Sequence, residues 1–203
     1  MDRKRKAAVF CILIGIVCLM FPIYFHFKGV KDTNKLIEDF TNQIEEKQDE
    51  ETICEEEEQT SISEEDAAIF SEGDVIAILE IASLGIRYPV VEGVSADALN
   101  TAIGHLPETA GIGQSGNCVL AGHNGSRHGE FFTHLNEIKK GDEVTLMNVD
   151  GEVLDYEVTD FYVVGPYDNS IKNQDEKEEL TLFTCAEKGS KRFVVKCIRK
   201  EDI

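Results

Sequence analysis

Cysteine and basic residues are both scarce in this chain of 203 residues. The six cysteines are scattered and include no Cys-x-x-Cys pair, so the sequence predicts neither a zinc ribbon nor a dense disulfide framework. Lys and Arg number 20 against 39 Asp and Glu, which gives a formal net charge of -19. A chain this acidic has no general attraction for phosphate groups, and we therefore predict no nucleic-acid partner.

The one long uncharged run lies at the N-terminus. Residues 7–27 contain no Asp, Glu, Lys or Arg and follow a basic cluster at 3–6. A helix of this length spans roughly 30 Å, the thickness of a bilayer core. The run ends in bulky residues and not in a small-x-small cleavage site, which favours an uncleaved signal anchor over a cleaved signal peptide. We predict a transmembrane helix at residues 1–28, with the rest of the chain outside the cell.

An acidic segment follows the apolar run. Residues 38–66 hold fourteen Asp or Glu and a single Lys. Three apolar residues within 36–44 have helical spacing, so a helix is expected to continue past the apolar run. Residues 45–65 are too acidic to bury a face and are predicted to be extended by charge repulsion. We interpret residues 29–70 as an acidic stalk; a metal-binding tract is the alternative, but nothing in the pattern fixes a coordination geometry.

Short strands dominate the C-terminal two thirds of the chain. The pair Asp150-Gly151 is a strong hairpin signal between two strand-like runs. Short helices are predicted at 95–102 and 130–138. About eight short strands with no βαβ rhythm predict a mostly antiparallel, closed β-barrel. We assign this domain to residues 71–203.

A cysteine and an arginine mark the ends of two neighbouring strand-like runs. Cys185 ends one apolar run and Arg192 begins the next, with a short polar turn between them. This order predicts a thiol and a guanidinium close together at one rim of a sheet, where the cation would stabilise the nucleophilic thiolate. The alternative is a buried cysteine beside a surface arginine. Cys118 and Cys197 lie within apolar strands and are interpreted as small core residues.

Nucleophilic catalysis by cysteine also needs a group that handles the proton. His123 directly follows an apolar strand, so it is expected at a rigid strand end, like Cys185. His128 and His134 are expected to be solvated, and His105 is expected to begin a loop that contains a proline and three glycines. His123 is therefore the preferred proton handler.

The residues around these positions resemble the sortase family. Residues 181–185 read Thr-Leu-Phe-Thr-Cys and are similar to its TLxTC signature, and residues 121–124, Ala-Gly-His-Asn, resemble its histidine motif. Arg192, followed by Phe-Val-Val, resembles the family's arginine strand. The resemblance covers residues 73–200. It implies an eight-stranded sortase-like β-barrel, and the connection 165–179, too short for the helical insertion of class B, suggests a class A or class D type.

The resemblance also implies a membrane-anchored, extracellular cysteine transpeptidase of Gram-positive bacteria. Cys185 would cleave an LPxTG-like sorting signal of surface proteins, His123 would act as acid and then as base, and Arg192 would bind the oxyanion or the peptide. Thr184 and Ala121 would contact the substrate. An amine of a cell-wall precursor would resolve the acyl-enzyme, with no cofactor and no metal. Two alternatives stay open, an extracellular cysteine peptidase that only hydrolyses and a non-catalytic anchored adhesion module.

Overall fold

The computed structural model describes residues 3–53, 70–125 and 129–200. The predictions for His128 and for the acidic stretch 54–69 lie outside these ranges. The helices are α1 (Arg3–Ile53) and the short α2 (Ala96–Leu99). The strands are β1 (Val75–Ile81), β2 (Ile86–Glu92), β3 (Ile103–His105), β4 (Gly116–Gly122), β5 (Glu143–Asn148), β6 (Val153–Val164), β7 (Glu178–Ala186) and β8 (Lys191–Arg199).

The eight strands close into a barrel in the order β1-β2-β3-β4-β7-β8-β6-β5, with β5 pairing back to β1. Six of the eight strand pairs are antiparallel. The two parallel pairs are β2 with β3 and β4 with β7. The predicted closed and mostly antiparallel barrel is confirmed.

Alternating apolar side chains of the strands fill the barrel. On β6, Leu154, Tyr156 and Val158 are buried between more exposed neighbours, as a strand with one buried face requires. Cys118 and Cys197 are buried in the same core. Burial raises the pKa of both thiols, that of Cys197 to about 12. Both cysteines therefore stay neutral at physiological pH, in agreement with the predicted role in packing.

The prediction of a helix at 130–138 is wrong, because no α-helix forms there. Only a single 3-10 turn forms, at Leu135–Glu137. Phe131 has a φ of 38° and forms an isolated β-bridge with Asn124, and this left-handed backbone is incompatible with a continuous α-helix. The predicted apolar face is nevertheless buried, since Phe131, Leu135 and Ile138 all lie in the core. The other predicted helix, at 95–102, corresponds to α2, which is shorter than expected.

Helix α1 runs without interruption from Arg3 to Ile53. The expected continuation of the helix past the apolar run is therefore confirmed. The prediction of an extended chain from residue 45 is wrong as far as residue 53, because glutamate is a good helix former. In the part of the chain that the structure describes, no helix meets the length and hydropathy needed to cross a membrane.

One side of α1 packs against the outside of the barrel. Ile37, Phe40 and Ile44 are buried together with Ile78 of β1. Val75, Met147 and Val149 extend this contact. The hydroxyl of Thr33 donates a hydrogen bond of 3.2 Å to the carbonyl of Thr101. Part of the segment predicted to be a stalk is thus packed on the barrel.

Candidate active site

Strand register brings the predicted site residues together. β4 and β7 are parallel, and Gly122 lies opposite Thr184. His123, directly after β4, and Cys185, near the end of β7, therefore lie at the same end of the sheet. β7 and β8 are antiparallel, and Cys185 lies directly opposite Arg192. Because neighbouring strands are about 4.8 Å apart, the three residues form a row across three adjacent strands.

The side chains of these residues border one cleft of about 490 Å³. His123, Cys185 and Arg192 all line it, and each is only partly buried. Apolar side chains from four parts of the fold form its walls: Val94, Leu99, Leu106, Ile171 and Phe183. A larger hollow of about 650 Å³ lies between α1 and the barrel, but the described residues that line it include no cysteine or histidine. All three predicted catalytic residues therefore line the first cleft.

Cys185 differs from the other two cysteines of the barrel in its accessibility. Cys118 and Cys197 have 2% and 0% of their surface exposed, whereas Cys185 has an intermediate exposure and faces the cleft. A nucleophile must reach its substrate as a thiolate, so a buried neutral thiol is unsuitable. Of the three barrel thiols, Cys185 alone combines access with a cation across the strand pair.

The turn between β7 and β8 fixes the side chain of Arg192. Its Nη1 donates hydrogen bonds of 3.0 Å to the carbonyls of Gly189 and Lys191. Gly189 has a φ of 90°, a conformation that glycine adopts without strain. Both of these bonds use one nitrogen, and the described residues give the guanidinium no other hydrogen bond. Nε and Nη2 therefore remain available for a ligand in the cleft.

His123 sits at a strand end that packing holds in place. Its ring lies edge-on to Phe131, with ring centroids 6.4 Å apart. Its backbone carbonyl accepts a hydrogen bond of 3.0 Å from the amide of Phe132. The preceding residue must be small, because a Cβ on Gly122 would lie 2.5 Å from the ring of Phe132. Gly122 thus allows the close packing that fixes the end of β4.

Thr184 and Ala121, the two predicted substrate contacts, both line the cleft. The hydroxyl of Thr184 is buried and donates a hydrogen bond of 2.7 Å to the carbonyl of Gly122, which ties β7 to β4 next to the site. Ala121 is buried against Leu106 and Val119. Thr184 therefore has a structural role in addition to its place in the cleft wall.

Asn124, which follows His123 in the histidine motif, also contacts this site, and no role was predicted for it. Its side-chain amide donates a hydrogen bond of 2.8 Å to the backbone carbonyl of Cys185. The bond joins the residue after His123 to Cys185, the predicted nucleophile, across the gap between the two strand ends. The sequence signal that could have identified Asn124 is its position directly after the histidine of the motif.

The prediction that His105 begins a loop is wrong. His105 is the last residue of β3 and is buried. Its Nδ1 is 2.8 Å from Oε2 of Glu92. The short parallel pairing of β2 with β3 places these two residues opposite each other. A strand of only three residues gives no periodic signal, which is why the pattern suggested a loop. His134 is solvent-exposed, as expected, and pairs with Glu137.

Comparison with known proteins now decides the family. The Sortase domain family matches residues 79–200 of this chain. The chain belongs to the sortase family. Sortases are cysteine transpeptidases, and the family predicted from the motifs is confirmed.

Two characterised relatives are similar in sequence. Sortase D of Bacillus subtilis (strain 168) is 37% identical over 114 residues, which cover 56% of this chain and 55% of that protein. The matched region thus spans about half the length of that relative. Sortase A of Bacillus anthracis is 28% identical over 201 residues, covering 96% of this chain and 95% of that protein.

Solved sortase structures share the fold. A Sortase D5 transpeptidase of Clostridium perfringens has a TM-score of 0.68 at 27% identity and covers 84% of this chain and 99% of that one. Sortase A of Corynebacterium diphtheriae has a TM-score of 0.61 at 30% identity, covering 64% of this chain and 62% of that one. This sortase therefore resembles both type A and type D members.

Proposed function

We propose that this sortase is a membrane-anchored cysteine transpeptidase that cleaves an LPxTG-like sorting signal of surface proteins and transfers the protein to a cell-wall amine. The observation that carries the proposal is the row of His123, Cys185 and Arg192 on three adjacent strands at one cleft. A nucleophile, a proton handler and an oxyanion donor are the groups that acyl transfer requires.

The first half-reaction would form a thioester. The Sγ of Cys185 attacks the carbonyl carbon between Thr and Gly of the sorting signal, and the carbonyl oxygen gains negative charge. The planar fork of Arg192 donates hydrogen bonds to that oxygen or to a neighbouring peptide carbonyl. His123 gives its proton to the departing amine as the C–N bond breaks.

The second half-reaction would reverse these roles. An incoming amine attacks the thioester carbonyl, and His123 takes up the proton that the amine loses. The C–S bond then breaks and the thiolate of Cys185 is regenerated, while a new amide bond joins the surface protein to the cell-wall precursor. One histidine serves as acid and base in turn, so no cofactor is needed.

The walls of the cleft suit the apolar part of a sorting signal. Leu99, Leu106, Ile171 and Phe183 surround the space next to Ala121. Burying one leucine-sized side chain there would contribute about 1.5–3 kcal/mol to binding. The Leu-Pro portion of the signal would lie against these walls, which places the Thr–Gly bond at Cys185.

The N-terminal pattern supports a single-pass anchor with the barrel outside the cell. The uncharged run at 7–27 follows four basic residues, and basic flanks remain on the cytoplasmic side of a membrane. The same helix, α1, continues to the segment that packs on the barrel. A short and partly rigid tether would therefore hold the catalytic barrel close to its membrane-bound substrates. A class A or class D role fits this arrangement.

A peptide assay tests the proposal. The full chain in detergent solution is incubated with a library of LPxTG-like peptides, with and without an added amine such as triglycine. A transpeptidase yields the amine-linked product, and a hydrolase yields only the free acid in both reactions. A non-catalytic adhesion module yields no cleavage and no acyl adduct, and that result would refute the proposal.

A further inference from the structure

Both ring nitrogens of a buried histidine outside the catalytic row contact oxygen atoms. The surface of His105 is 4% exposed. Its Nδ1 lies 2.8 Å from a carboxylate oxygen of Glu92, and its Nε2 lies 3.0 Å from the backbone carbonyl of Ala110. A carbonyl oxygen has no proton to give, so Nε2 must carry the hydrogen of that contact.

The third neighbour, Thr109, does not change this requirement. Its hydroxyl has one proton, which it donates over 2.7 Å to the carbonyl of Leu106. At 3.3 Å from Nε2, the hydroxyl oxygen therefore presents a lone pair to the ring. A neutral imidazole has one N–H and one bare nitrogen, and a bare nitrogen facing an oxygen lone pair in a buried site is unfavourable. With the carboxyl of Glu92 ionised, all of these contacts are satisfied when both ring nitrogens carry a proton and Glu92 is the counter-ion.

These contacts fix the loop between β3 and β4, residues 106–115. Thr109 accepts a hydrogen bond of 3.2 Å from the amide of Val119, which belongs to β4. The amide of Ala110 donates to the carbonyl of Asn117, also on β4, over 3.3 Å. The loop is thereby bound along β4, the strand that His123 directly follows.

The same loop forms one wall of the cleft. Leu106 and Glu108 line the cleft, and Leu106 packs on Val119 and Ala121. Glu108 pairs with Lys172 across the cleft, 2.5 Å away on the β6–β7 connection. A displacement of the loop would move the surface that the peptide contacts while leaving the three catalytic side chains on their own strands.

We propose that His105 is a positioning residue: protonated on both ring nitrogens and paired with Glu92, it holds the β3–β4 loop in the form that binds the sorting signal. It acts through the loop and touches neither the substrate nor the reacting atoms. The inference rests on the proposed function only for the identity of the ligand.

The first test reads the protons directly in the unaltered full chain. Two-bond ¹H–¹⁵N NMR spectra at pH 7, with histidine resonances assigned through the backbone, show whether each ring nitrogen carries a hydrogen. Both nitrogens of His105 are expected to be protonated. A bare nitrogen on His105 would overturn the proposal.

The second test uses His105→Gln, which keeps one donor but cannot bridge both acceptors. His134→Gln is the matched control, since His134 also pairs with a carboxylate, Glu137, at 2.9 Å but lies outside the cleft. In His105→Gln, the amides of Ala110 and Val119 are expected to exchange hydrogen with solvent faster than in the wild type. The control should leave both rates unchanged.

Kinetics then separate positioning from catalysis. In His105→Gln, KM for a sorting-signal peptide is expected to rise about tenfold, the scale of one lost hydrogen bond, with kcat within about threefold. The rate at which iodoacetamide alkylates Cys185 in the absence of peptide should not change. A loss of kcat at constant KM, or unchanged KM and exchange rates, would overturn the proposal.

Glu92→Gln removes the counter-ion of His105. This variant replaces His105→Gln in the same measurements if His105→Gln does not fold. It is expected to raise KM and the Ala110 exchange rate in the same direction, and unchanged values for both would also overturn the proposal. If the wild-type chain cleaves no peptide, the proposed function fails. The NMR and exchange results still decide the role of His105 in the loop, so the two failures are distinguishable.

Discussion

The packing of α1 on the barrel predicts that the catalytic domain is not fully stable without residues 33–44. Phe40 is 5% exposed, and Ile37 and Ile44 are 8% and 7% exposed. A chain shortened to residues 67–203 loses these contacts and exposes Ile78, which is otherwise 3% exposed. A chain that begins at residue 31 keeps them.

The magnitude follows from the buried side chains. Replacing a core phenylalanine by alanine costs about 3–5 kcal/mol, and the peripheral position of Phe40 places Phe40→Ala near the lower end. The helix lies outside the barrel and can detach, so the loss cannot exceed the free energy with which the helix docks. With a melting enthalpy typical of a domain of this size, a loss of about 3 kcal/mol lowers Tm by roughly 6–12 °C.

The assay is thermal and urea unfolding of both chain lengths. In the chain beginning at residue 31, Phe40→Ala is expected to lower Tm, and Asn42→Ala, an exposed residue on the same helix, is expected to change it by little. Ile78→Ala should cost more in the longer chain than in the shorter one, where Ile78 is already exposed. Equal costs of Ile78→Ala in both chains, or equal stability of the two chain lengths, would refute the reasoning.

Three further predictions concern the cleft. Arg192→Lys should reduce kcat/KM about 10²-fold, the scale of one lost oxyanion donor, whereas Lys191→Ala should be nearly neutral; the reverse pattern in peptide kinetics would show that the wrong cation was assigned. Asn124→Ala should lower kcat with little change in Tm, because it removes the hydrogen bond to the backbone carbonyl of Cys185; a wild-type kcat would refute this. In native labelling with a thiol reagent at pH 8, read by peptide mapping, Cys118 and Cys197 should stay unmodified, and their reaction before unfolding would contradict their burial.

The parts of the fold that sequence predicted are those with local signals. The alternation of Leu154, Tyr156 and Val158 and the Asp150-Gly151 turn are each encoded within a few residues, and the structure bears both out. The strand ends that carry His123 and Cys185 were likewise visible, because each apolar run stops at the residue concerned.

The missed features depend on contacts between distant segments. Helical spacing predicted that residues 36–44 form a helix, but it could not show that Ile37 and Phe40 pack on Ile78. The three-residue strand that ends at His105 is too short to give a periodic signal, and its partner is a parallel strand. The left-handed backbone at Phe131, which stops the predicted helix, follows from its bridge to Asn124 and not from its own residue type.

The central claim is that Cys185 forms a covalent acyl-enzyme with the sorting signal, and intact-protein mass spectrometry tests it most directly. The wild-type chain, incubated briefly with an LPxTG-like peptide, is expected to gain the mass of the peptide up to its threonine, located on Cys185 by peptide mapping. Addition of triglycine should remove the adduct and release the amine-linked product, and Cys185→Ala should form no adduct. An adduct on another residue, or cleavage retained in Cys185→Ala, would contradict the account.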